Sequence, residues 1–183
     1  ADALQMAGYI DALMGARERG VERLEQALSQ YRTLQTEGEL AALERMVAAD
    51  IEAGGGIFPA QRREQALSRC EVYETSCPDL RARILLARAL QAPSDALLEE
   101  IESVLSERRQ LPARPSDYGN VLRARAETLA ALGRVSDAAE AMAEAEAELS
   151  AYYASGQADA RAAAARAAEL AAAMHPPSPP AAQ

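Results

Sequence analysis

Apolar residues recur along this chain at three- and four-residue spacing, and glycine, proline and short polar runs interrupt them. The pattern predicts nine helices. The first two cover about 2–14 and 17–35. The third covers about 38–53, with Leu40, Leu43, Val47 and Ile51 on one stripe. Gly54-Gly55-Gly56-Ile57-Phe58-Pro59 is the clearest break, and Pro59 suits the first turn of the next helix. The fourth helix is expected to end near Cys77-Pro78. The fifth opens at Pro78-Asp79 and stops at Ala92-Pro93. Ser94 is expected to cap the sixth, with Ala96, Leu97, Ile101, Val104 and Leu105 inward. Pro112 to Pro115 forms a stiff connector. Ser116 or Asp117 caps the seventh helix, which ends at Gly133. Ser136 is expected to cap the eighth, with Ala138, Met142, Ala145, Leu149 and Tyr152 on one face. The ninth, about 157–174, is mostly alanine. The prolines from Pro176 onward forbid more helix, so 175–183 is expected to be a disordered tail.

A repeat overlies this pattern. Arg81-Ala-Arg-Ile-Leu-Leu-Ala-Arg-Ala-Leu90 returns as Arg123-Ala-Arg-Ala-Glu-Thr-Leu-Ala-Ala-Leu132, 42 residues later. Ser94-Asp95-Ala96 returns at the same offset as Ser136-Asp137-Ala138. A repeat of this length made of helix formers marks a stacked array, in which each unit buries its apolar face on its neighbours. The helices pair as about 2–35, 38–77, 78–110 and 116–153, with 157–174 capping the end. Residues 1–174 are read as one repeat domain.

Composition supports an all-α fold. The 183 residues are 49% apolar, with alanine contributing most. There is one Phe and no Trp. Alanine, leucine, glutamate, glutamine and arginine are the strong helix formers, and β-branched residues are sparse. The net charge is −9, and all 19 basic residues are arginine. The arginine and alanine bias is of the kind a high-GC bacterial genome produces. The acidic balance argues against a nucleic-acid surface, which needs clustered positive charge. No apolar run approaches the roughly 20 residues that span a bilayer. No secretory leader is visible. The chain starts at Ala1 without Met, as a mature protein or a piece of a larger one would. A cytoplasmic location is expected, or an extracytoplasmic one if an upstream signal or membrane segment has been removed. Oligomeric state is not legible.

The helical pairs resemble tetratricopeptide repeats. That family is similar in wanting a large apolar residue early in the first helix, a small one four positions on, a turn glycine, and two small residues seven apart in the second helix. Leu122, Ala126, Leu129, Gly133, Ala138 and Ala145 fit in the last pair. Leu4, Gly8, Gly15, Gly20 and Ala27, with Leu24 between, fit in the first. The third pair keeps Leu80, Ala87 and Ala96 but has Ile84 where a small residue is wanted. The second pair departs most, with Glu44 at its small position. The period exceeds the usual 34 and is similar to the longer-helix variant of kinesin light chains and many bacterial regulatory proteins. The resemblance implies an α-solenoid of antiparallel hairpins with a C-terminal capping helix.

The same resemblance implies a non-catalytic adaptor or scaffold that binds a partner segment in a concave groove. It also fits a regulatory or sensor segment of a larger bacterial signalling protein, a Ser/Thr kinase or a transcription regulator. Gln5, Tyr9, Arg81, Arg88 and Arg123 fall on its groove face. Arginines there suit an acidic peptide or a terminal carboxylate through paired hydrogen bonds. The chaperone-binding members of the family clamp a carboxylate with Lys and Asn where this chain has Gln5 and Tyr9, so that partner is not implied.

Catalytic chemistry finds little support. His175 lies before two prolines in the expected tail, without the fixed geometry a general base needs. Cys70 and Cys77 have no histidine partner and no zinc spacing, and no metal or cofactor is expected. On a continuous helix they lie about 10 Å apart, too far for a disulfide, and two buried, reduced thiols are expected; the alternative is a helix that ends before Pro78 and a short bridged loop, which only an oxidising compartment favours. The glycine triplet is not followed by Gly-Lys-Ser or Gly-Lys-Thr, so it is not a phosphate loop. Asp137, Glu140, Glu144 and Glu148 repel along the eighth helix, and Arg161 and Arg166 on the ninth are placed to relieve them.

Overall fold

The computed structural model describes residues 1–34, 38–52, 56–72, 78–111, 117–152 and 158–174. The described residues form nine α-helices and no strands. The chain divides into two compact units, Ala1–Ala92 and Pro93–Gln183.

The first unit contains α1 (Asp2–Leu13), α2 (Arg17–Leu34), α3 (Gly38–Glu52), α4 (Ala60–Val72) and α5 (Pro78–Gln91). Helices α1 and α2 form a tight hairpin, and α3 packs on α1, α2, α4 and α5. Its core holds Leu24, Leu28, Leu43, Met46, Leu80 and Leu86, all fully buried. The second unit contains α6 (Asp95–Arg109), α7 (Tyr118–Ala131), α8 (Val135–Tyr152) and α9 (Ala158–Met174). Here α7 packs on α6 and α8, and α9 packs on α8. Ile101, Leu105, Leu122, Leu129 and Met142 fill the core.

Two turns repeat the same construction. Gly15 ends α1 with φ +83°, and Gly133 ends α7 with φ +78°. The Gly15 N–H donates to Ala12 O at 3.2 Å, and the Ala16 N–H reaches back to Asp11 O at 2.9 Å. The Gly133 N–H donates to Ala130 O at 3.1 Å, and the Arg134 N–H to Leu129 O at 2.9 Å. This paired closure satisfies carbonyls that the helix end leaves orphaned, and its left-handed residue favours glycine. The next helix starts at once. The Gly20 N–H bonds Ala16 O and the Ala138 N–H bonds Arg134 O, so both hairpins reverse over the same few residues.

The immediate restart corrects one expectation. Helix α8 begins at Val135, so Ser136 lies inside its first turn rather than at the cap. Arg134 reaches forward instead, and its Nη2 lies 2.7 Å from Asp137 Oδ2. Ser94 does cap α6, accepting the Leu97 N–H at 3.2 Å. The inward residues of α6 are Leu97, Leu98, Ile101 and Leu105, whereas Ala96 is exposed and Val104 half-buried. Asp117 precedes α7 but makes no side-chain cap bond. Helix α4 is described to Val72. The expectations for the Cys70 and Cys77 thiols, the Pro112–Pro115 connector, the Ser116 cap, Gly54, Gly55 and the tail with His175 lie outside the described residues and side chains.

Small residues let the hairpins close. Ala126, Ala138 and Ala145 are fully buried in the second unit, where α7 and α8 pack along their length. Replacing Ala138 by Leu is expected to overpack this contact and cost about 1–3 kcal/mol. An unchanged denaturant midpoint for Ala138→Leu would contradict the packing.

Candidate functional site

The five residues assigned to a groove face lie in different surroundings. Gln5 and Tyr9 stand four apart on α1. Gln5 is buried, and its Oε1 accepts the Tyr31 hydroxyl at 3.4 Å. The same hydroxyl, from α2, donates to the Asp2 carboxylate. Burial, reinforced by the hydrogen bond to that carboxylate, pushes the Tyr31 phenol up to about 12. A phenol whose folded value lies above its ordinary 10.0 favours the folded state while protonated. That contribution is complete below pH 10.0 and is lost as pH rises to about 12. Tyr31→Phe is therefore expected to give a shallower loss of stability over this window in alkaline denaturant titrations.

Tyr9 is half-buried and lies beneath a cation, with Arg45 Cζ of α3 5.8 Å from the ring centroid. Arg45 Nη1 also stands 3.8 Å from Met6 Sδ.

Helix α5 is buried on most of its circumference, through Leu80, Ala82, Ile84, Leu85, Leu86, Ala87 and Ala89. Arg81 and Arg88, two turns apart, stand on what remains. Arg81 is exposed and has no ion-pair partner among the described residues, whereas Arg88 is half-buried. Ile84, where a small residue was wanted, is buried apolar core.

Arg123 belongs to the second unit and lies inside it. Its Nη1 is 3.2 Å from Asp159 Oδ1, in the first turn of α9, and 3.4 Å from Asn120 Oδ1. Both charged groups are buried. This guanidinium is a clamp between α7 and α9. The acidic row on α8 is also relieved differently from the expectation. Glu144 accepts the Tyr118 hydroxyl at 3.2 Å, and Asp137 is held by Arg134. Arg166 turns to Glu127 of α7 at 3.2 Å and to Glu169 on its own helix at 2.8 Å.

Sequence reasoning did not identify the buried carboxylates of the first unit. Asp50, at the end of α3, is 1% exposed. Its Oδ1 accepts the backbone N–H groups of Ile57 at 2.8 Å and Phe58 at 3.3 Å. Its Oδ2 accepts Arg63 of α4 at 3.1 Å and Gln91 of α5 at 2.7 Å. One side chain thus ties three helices and a turn. Glu39 is buried between Arg32 of α2 and Arg69 of α4, each at 2.9 Å. Asp11 takes Arg19 through two bonds of 2.9 Å and Arg23 through one of 2.6 Å. The hydrogen bond from Arg19 holds the Asp11 carboxyl below its ordinary value, with Arg23 adding to the effect. A faint signal existed for Asp50. It follows Leu43, Met46 and Val47 on the buried face and stands just before a turn whose backbone N–H groups need acceptors.

Chemically these clusters are satisfied ion pairs. Among the described residues no three His, Cys, Asp or Glu side chains converge as a metal would require, and no helix is long and apolar enough to cross a membrane. Shallow depressions over Gly15–Arg19 and beside Val21 and Ile57 include none of the five groove residues. No protein-family model, curated protein or solved structure matches the chain.

Proposed function

We propose that this chain is a non-catalytic interaction module of tetratricopeptide-like helical hairpins, and that the arginine face of α5 receives an acidic segment of a partner protein. The observation that carries the reading is Arg81, an exposed guanidinium with no described carboxylate beside it, two turns from Arg88 on an otherwise buried helix. A guanidinium fork takes a carboxylate through two parallel hydrogen bonds, and a surface cation without an internal partner is available for one. The two hairpins with a shared glycine closure and small residues at their crossing support the repeat reading. Arg123 leaves the proposed contact set, because Asp159 already holds it. Gln5 leaves it too, being buried beneath Tyr31.

The test is binding of an Asp/Glu-rich peptide with a free carboxylate, followed by fluorescence anisotropy. Arg81→Glu is expected to weaken it about tenfold or more by repulsion, with helicity and melting unchanged. Affinity should also fall as salt rises, because an exposed contact is screened within about 10 Å at 0.1 M. Equal binding by parent and Arg81→Glu would make Arg81 an ordinary surface residue.

A further inference from the structure

Helix α1 and its C-cap residue Met14 carry an apolar stripe open to solvent. Met6, Ile10, Leu13 and Met14 are 44%, 50%, 46% and 80% exposed. Steps of four, three and one place them on one side of the helix, opposite buried Gly8 and Ala12. Single exposed apolar residues are ordinary, but a contiguous row marks a docking surface.

The second unit shows what such a face takes. Counted back from the two turn glycines, Met6 and Ile10 of α1 correspond to Ala124 and Thr128 of α7, and Leu13 and Met14 to Ala131 and Leu132. Ala124 and Thr128 are fully buried, Leu132 is half-buried and Ala131 is exposed. Helix α6 packs on α7, presenting Leu97, Leu98, Ile101 and Leu105 inward and Glu102 to Arg125 at 2.6 Å. On α1, no described helix of the first unit covers the corresponding side chains. A cation stands at the edge of the stripe. Arg45 meets Met6 Sδ and the Tyr9 ring, and no described carboxylate lies within ion-pair distance of it.

We propose that the α1 face docks an amphipathic α-helix of a partner protein, with small and apolar residues over Met6, Ile10, Leu13 and Met14 and a carboxylate on Arg45. The stripe runs about 12 Å along α1, the footprint of two helical turns. That suits one helix and falls short of the roughly 800 Å² per partner of a stable globular interface. The net charge of −9 opposes a second copy as the occupant. Helix-in-groove recognition reads anchors at i, i+3, i+4 and i+7, and Met6, Ile10 and Leu13 hold the i, i+4 and i+7 places of that set. The face belongs to α1 and the Arg81 surface to α5, so failure of either test leaves the other reading standing.

The probe is a fluorescein-labelled 18-residue peptide with alanine and leucine on one helical face and glutamates along its flanks. Its twin carries lysine at each glutamate. Saturable binding to the full chain is expected at about 1–100 μM, with a gain of peptide helicity. Ile10→Asp/Leu13→Asp should weaken it about tenfold or more while the melting transition holds. Met14→Ser, at the most exposed position, should weaken it alone, which covers the case in which the double variant does not fold. Arg45→Glu should reverse the preference between the twins. Three results would overturn the proposal: no binding at about 1 mM peptide, equal binding by Met14→Ser, or a dimer in sedimentation that Ile10→Asp dissolves. The last would make the stripe a contact between copies.

Discussion

Replacing Asp50 by Ala is expected to cost about 3–5 kcal/mol, the loss typical when one partner of a buried ion pair is removed. Three consequences of the deletion combine. Arg63, itself buried, is left with a charge that has lost its counter-ion. The Ile57 and Phe58 N–H groups, next to Gly56, lose their acceptor. Gln91, at the last turn of α5, loses the bond that joins it to α3. Arg63 and the Phe58 N–H lie in buried bonds and cannot recover water without opening the unit. Asp50→Asn should retain part of this, because an amide oxygen can still accept from the turn while the charge facing Arg63 is gone. Denaturant unfolding of both variants checks the order, parent above Asn above Ala. An Ala variant within about 1 kcal/mol of the parent would mean that the carboxylate does not hold these elements together.

The second large effect is expected at Gly20, and here two principles oppose each other. Helix propensity alone favours Gly20→Ala by about 1 kcal/mol, since alanine restricts the unfolded chain and suits a helix interior. The packing opposes it. A Cβ at this position would lie 2.7 Å from Ala12 N and 2.8 Å from Gly8 O, and both are backbone atoms of α1. Backbone cannot rotate aside as a flexible side chain does, so α1 must move off α2. The overpacking cost of about 1–3 kcal/mol exceeds the propensity gain, and net destabilisation follows. The corresponding residue of the second hairpin is Ala138, which is already accommodated in the α7–α8 contact. Gly20→Ala should therefore lower the melting temperature, and a rise would show that the two helices of the first hairpin have room to spare.

What sequence could reveal divides along a physical line. Helix positions follow from local spacing, and the turn glycines follow from the need for a left-handed residue, so α1 to α9, Gly15 and Gly133 were legible. Ser94 was legible because its bond reaches only three residues along the chain. Charged residues inside the units were not. Asp50 meets Gln91 at a separation of 41 residues, Arg62 meets Glu25 at 37, and Arg123 meets Asp159 at 36. A charged residue on a helix reads as solvated unless its distant partner is known. For that reason Arg123 looked like an exposed cation and is instead an internal clamp. Ser136 failed for another reason. The glycine turn delivers the chain into α8 directly, so the helix begins before the residue that composition favours as its cap.

Every cation in these networks is a guanidinium, and the whole chain contains no lysine. Its side chains therefore offer no primary amine to acetyl transfer, to Schiff-base formation or to the isopeptide linkage of a protein tag. A guanidinium also keeps its proton throughout the physiological range, so neither acylation nor mild alkali can switch off an ion pair from the basic side. Control of charge within this sequence falls to the carboxylates, or to phosphate added at its Ser, Thr and Tyr hydroxyls, where a new anion would compete with Asp and Glu for the same arginines.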